Sequence, residues 1–66
     1  MEYTNSQIRE LIREYIHSQR DRKILYRRLV DGVTFDRLAE EFDMSPKQIR
    51  IIVHKQENEL FKHIPG

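Results

Sequence analysis

Three residues near the end of the chain, Lys47, Arg50 and Ile51, are of the types that read the edges of bases in duplex DNA. An arginine offers a bidentate fork that matches guanine, a lysine brings a point charge to guanine or phosphate, and an isoleucine can meet a thymine methyl. His54 and Lys55 follow about one turn later and are expected towards the nucleic-acid backbone. Thr34 and Ser45 stand where helices should begin, so their hydroxyls and the neighbouring amides are expected to contact phosphate as well as cap. Arg27 and Arg28 belong to a basic run with Arg20, Arg22 and Lys23 and are candidate phosphate contacts, the alternative being the solvated face of an amphipathic helix.

Other chemistries find little support. His17, His54 and His63 invite a metal reading, and His54 with Asn58, or Glu59 with His63, share a helix face at four-residue spacing. There is no HExxH pattern and no third ligand, so neither metal nor cofactor is expected. A nucleophile elbow and a glycine-rich phosphate loop are both missing, and the two glycines sit at helix-stopping or terminal positions. The expected class is a binding module, not an enzyme.

The elements that position these residues follow from period and punctuation. Ile8, Leu11, Ile12, Tyr15 and Ile16 recur at three-four spacing and predict a first helix over about 5–17, capped by Thr4, Asn5 or Ser6. Ser18 followed by Asp21 suggests a capping box that opens a second helix over about 19–30, burying Ile24, Leu25 and Leu29 and stopped by Asp31-Gly32. Thr34 should cap a short third helix over about 35–42, with Phe35, Leu38, Ala39 and Phe42 inward. Ser45-Pro46 restarts the chain into a fourth helix over about 46–63. On it Ile49, Ile52, Val53, Leu60 and Ile64 fall together, while Lys47, Ile51, His54, Asn58 and Lys62 fall opposite. Ile51 and Phe61 lie outside the core stripe, and Pro65-Gly66 should end the helix.

The third and fourth helices with their three-residue break have the spacing of a helix-turn-helix. Ala39, the only alanine, would stand where the two backbones meet, and Leu38, Phe42, Met44, Ile49 and Ile52 would fill the wedge. Asp43 takes the turn position where positive φ is needed, and aspartate is among the non-glycine residues that tolerate it. The predicted fold class is all-α: a small four-helix domain with a C-terminal helix-turn-helix.

The string VDGVTFDRLAEEFDMSPKQIRIIVHKQENELFKHI resembles the fourth conserved region of bacterial sigma factors of the primary, sigma-seventy, class. The preceding IRELIREYIHSQRDRKILYRRLVDG is similar to the first helical pair of that region, so the resemblance covers roughly residues 5–63. It implies double-stranded DNA as partner, with the last helix in the major groove, and RNA polymerase as a second. The base-reading positions it implies are Pro46, Lys47, Arg50 and Ile51, where primary sigma factors more often carry Arg, Glu, Arg and Gln; only Arg50 keeps its type. The DNA-melting region has no counterpart, which suggests a small phage or mobile-element protein rather than a full initiation factor. An adaptor that docks on polymerase or a sigma factor, with little DNA affinity of its own, is the alternative.

Length and composition bound these readings. The chain has 66 residues, no cysteine, 12 Lys+Arg and 11 Asp+Glu, and 38% hydrophobic residues, which describes one small domain held by packing alone. A multidomain enzyme and a disulfide scaffold are excluded. No run approaches the ~18 apolar residues of a membrane span, and MEYTNSQIRE lacks a secretory pattern, so the expected location is the cytoplasm. The net charge of +1 conceals an uneven distribution: residues 19–33 sum to +3, 34–44 to −3 and 45–66 to +2, leaving room for a one-sided basic surface. A monomer or a weak homodimer is expected, with exposed Ile51 or Phe61 as a possible contact.

Overall fold

The computed structural model describes residues 3–62, all of whose regular structure is helical. Helix α1 spans Asn5–Tyr15 and α2 spans Gln19–Leu25, running directly into π-helical turns over Tyr26–Val30; α3 spans Phe35–Phe42 and α4 spans Pro46–Lys62. The expected His63, Ile64 and the Pro65-Gly66 stop lie outside the described residues.

Each helix starts on a hydroxyl. Thr4 caps α1 in a complete capping box, accepting from the Gln7 amide while the Gln7 side chain accepts from the Thr4 amide. Ser18 accepts from the Asp21 amide at the start of α2. The Asp21 carboxylate does not return to the cap as expected; it turns inward to Arg20 and Gln56. Helix α1 stops at Tyr15, two residues earlier than predicted, and its free carbonyls are taken by α2: the Arg22 guanidinium donates to the carbonyls of Arg13 and Ile16.

The second helix differs most from its prediction. It is not uniformly α: beyond Leu25 it widens, with the Asp31 amide donating to Tyr26 O at 3.2 Å and the Val33 amide to Arg27 O at 3.0 Å. Gly32 ends it with φ 71°. The glycine stop is therefore the expected one, but the closing bond reaches one residue further back than the usual six-to-one pattern, the signature of a widened turn. Leu29, predicted as buried, is only partly so.

Helix α3 ends in the reverse manner, without glycine. Asp43 adopts the left-handed conformation at φ 54°, and the Met44 amide donates to Ala39 O at 2.9 Å. The core is one cluster: Ile12 and Ile16 from α1, Ile24 and Leu25 from α2, Leu38 and Ala39 from α3, and Ile49, Val53 and Leu60 from α4. Helix α4 is its axis, touching α1, α2 and α3.

Candidate nucleic-acid interface

The start of α4 is built by a reciprocal cap. Ser45 Oγ accepts from the Gln48 amide at 3.1 Å, and the Gln48 side chain accepts from the Ser45 amide at 3.1 Å, so two unpaired donors are satisfied before the first turn closes. Pro46 then occupies the first helical position. The Ser-x-x-Gln spacing of this cap is legible in the sequence, as is the Ser-Pro start.

Burying Ile49 and Val53 fixes the roll of α4, and the opposite face is left to solvent. Lys47, Arg50, Ile51, His54 and Lys55 are all exposed there. At 100° per residue they share an arc of roughly 140° over the first three turns. Ile51 is 57% exposed, an apolar side chain standing among cations.

Ion pairing is uneven over the described surface: Arg9, Arg22, Lys23 and Arg28 also lack a carboxylate partner, but only on α4 do three such cations share one arc. Arg13, Arg20, Arg27, Arg37 and Lys62 all pair with carboxylates. Among the described residues, Lys47, Arg50 and Lys55 form no ion pair, and residues 45–56 contain no Asp or Glu. An arc of uncompensated cations is a surface whose counter-charge must come from solution or from a ligand.

The other expected contact residues have partners within the fold. Thr34 caps α3, accepting from the Arg37 amide at 3.2 Å, and its hydroxyl hydrogen is not used in that bond. Arg27 is partly exposed but is not a spare cation. Its guanidinium chelates Glu41, at 3.0 and 2.7 Å, and reaches Asp31 at 3.0 Å, which ties the π-helical turns to α3. These bonds from Arg27, with the closeness of its charge, hold the Glu41 carboxyl below the ordinary carboxylate range, while Glu41 and Asp31 raise the Arg27 guanidinium further. Arg28 is also drawn inward: its Nη1 donates to Val33 O at 3.1 Å and its Cζ lies 4.3 Å from the Phe35 ring centroid. Arg27 and Arg28, which the sequence offered either as phosphate contacts or as part of a solvated face, are both engaged within the fold, because Glu41 and the Phe35 ring come within reach once α3 folds back.

Two features gave no sequence signal. Asp21, 8% exposed, accepts from Gln56 Nε2 at 2.7 Å and pins the middle of α4 to the start of α2 across 35 residues. Phe35 also meets α4, with the Arg50 Cζ 5.9 Å from its centroid and the His54 ring centroid at 6.4 Å. Among the described residues no three His, Asp or Glu side chains are grouped to hold a metal, and no helix is long and apolar enough to cross a membrane.

No protein-family model, no curated protein and no solved structure matched the chain in the three comparisons made.

Proposed function

We infer that this chain is a transcription-related module that binds double-stranded DNA in a sequence-specific way, in the cytoplasm of a bacterium or in the service of a phage or mobile element. In this reading α3 and α4 act as a helix-turn-helix of the sigma region-four kind, and the start of α4 enters the major groove. The observation that carries it is the unpaired cationic arc, Lys47, Arg50 and Lys55, on an α4 face with no acid from 45 to 56. Arg50 and Lys47 reach base edges, Ile51 meets a thymine methyl, and His54, Lys55 and the capping hydroxyls of Thr34 and Ser45 touch the backbone. Such a role asks for binding and positioning, with no catalytic group and no cofactor.

A second reading rests on a different surface. Phe61 is 54% exposed beside a shallow apolar cavity of about 140 Å³ that Tyr3, Ile8, Leu11, Leu29 and Leu60 also line. That face suits an adaptor docking on RNA polymerase or a sigma factor, with the polar arc idle.

Salt separates the two, because neutralising phosphates releases counterions and makes affinity fall steeply with ionic strength, while an apolar contact hardly responds. The purified, folded protein is incubated with a random duplex pool at low and at high salt, and the retained DNA is sequenced. An enriched motif that is lost at high salt supports the DNA reader. No enrichment at either salt, with salt-resistant retention of polymerase after nuclease treatment, supports the adaptor.

A further inference from the structure

Phe35 opens α3 immediately after the Thr34 cap, and its ring meets the cationic arc at Arg50 and His54. It is half-buried and packs against the core, yet two guanidinium groups converge on it: Arg28 at 4.3 Å and Arg50 at 5.9 Å from the centroid, with the His54 ring tilted 41° to it at 6.4 Å. An aromatic face carries a negative quadrupole and attracts a guanidinium within about 6 Å. Arg28 is held at a second point by the Val33 carbonyl, whereas Arg50 has no ion pair among the described residues. For Arg50 the ring is therefore the restraint that remains.

That restraint matters for recognition. An arginine on an open helix face samples many rotamers and loses that freedom when it binds, while one drawn towards a ring at the outer reach of cation–π attraction, as Arg50 is at 5.9 Å, loses less and presents its fork in a narrower range of directions. A tight range of directions favours the bidentate match to guanine over looser single contacts. Resting on the reading of α4 as the groove-entering helix, we propose that Phe35 is the specificity-positioning residue of the interface: its ring aims the Arg50 guanidinium at a guanine. The residue that selects the base thus lies on α4, and the residue that aims it lies on α3, so the packing of the two helices is part of the base preference.

The test uses the full chain and three replacements of Phe35. Phe35→Leu removes the ring but keeps an apolar side chain, Phe35→Tyr keeps the ring, and pentafluorophenylalanine at position 35 keeps the shape while inverting the quadrupole. In the DNA-free protein, NMR should show ring-current-shifted Arg50 side-chain protons that move to ordinary values in Phe35→Leu and remain shifted in Phe35→Tyr. On the selected duplex, Phe35→Leu and the fluorinated ring should cut discrimination for guanine at the Arg50-dependent position by ~2- to 5-fold, the scale of one exposed cation–π contact, with Phe35→Tyr near wild type. In an Arg50→Ala background the same replacements should have no further effect on that position. Unshifted Arg50 protons in the wild type, unchanged discrimination with the fluorinated ring, or an equal loss in the Arg50→Ala background would each overturn the proposal. If Phe35→Leu does not fold, the fluorinated ring decides alone. A wild type that selects no motif overturns the DNA reading itself, whereas a selected motif indifferent to Phe35 overturns only the positioning role.

Discussion

At the scale of single residues, the exposed cations of α4 would differ, in the proposed DNA-reading role, in what each contributes. Arg50 offers a directional fork, so Arg50→Ala is expected to cost about 1 to 3 kcal/mol of binding and to relax preference at one base pair. Lys55, further round the arc, offers only charge, so Lys55→Ala should weaken all sequences alike and reduce the salt slope by about one. Titration of the selected duplex against each variant at several salt concentrations checks both; equal affinities throughout would remove α4 from the groove. Gly32 shows a different kind of residue effect. A Cβ at this position would meet nothing within 4 Å, so the φ of 71° alone sets the expense of Gly32→Ala. That substitution should lower stability by about 1 to 2 kcal/mol in urea unfolding without altering DNA selection.

At the scale of elements, the orientation of α4 depends on ties that come from elsewhere in the chain. Asp21 holds Gln56, and Arg27 ties the π-helical turns to Glu41 on α3. The second tie has a pH dependence whose sign follows from Glu41. Its carboxyl is held below the ordinary range chiefly by the Arg27 hydrogen bonds, so the folded state binds a proton less readily than the unfolded chain. The stabilisation is present above the unfolded carboxylate pKa and disappears as pH falls through the depressed folded value. Glu41→Gln should therefore be less stable than wild type near neutral pH, and the gap should close in acid. Urea midpoints at about pH 7 and about pH 3 measure it, and a gap that persists in acid would show that the carboxylate charge is not its source. Both side chains are partly exposed, at 39% and 28%, so the effect should also shrink with salt.

For the whole molecule, the decisive fact is how few side chains form the core. A 66-residue domain without disulfides has about 3 to 5 kcal/mol of stability to draw on, and truncating a fully buried leucine removes about 2 to 5. Leu38, which joins α3 to the rest, is fully buried. Leu38→Ala should therefore leave the chain largely unfolded at 25 °C, with the helical circular dichroism reduced and DNA selection lost as a consequence. A cooperative transition retained near the wild-type midpoint would show that the core is better buttressed than its size suggests.

Much of this architecture was written locally. The caps at Ser18, Thr34 and Ser45, the glycine stop at 32 and the aspartate turn at 43 depend on a few adjacent residues, and the three-four spacing of apolar residues depends on helix geometry alone, so all were legible before any packing was known, while the first cap was narrowed only to Thr4, Asn5 or Ser6. The exposure of Lys47, Arg50, Ile51, His54 and Lys55 was legible for the same reason, since burying Ile49 and Val53 fixes the opposite face. What the sequence could not yield were contacts between residues far apart in it. Arg27 could be counted as a cation, but only the fold-back of α3 set Glu41 against it and gave its charge a partner. Asp21 read as a cap partner until Gln56, 35 residues on, came within 2.7 Å. Phe35 read as core, and only the packing of α3 on α4 brought its ring to Arg50. Local backbone chemistry determined where the helices lie in the chain; which charges they spend on each other, and which they leave free, was decided by tertiary packing, because a charge is free or paired according to what folds against it.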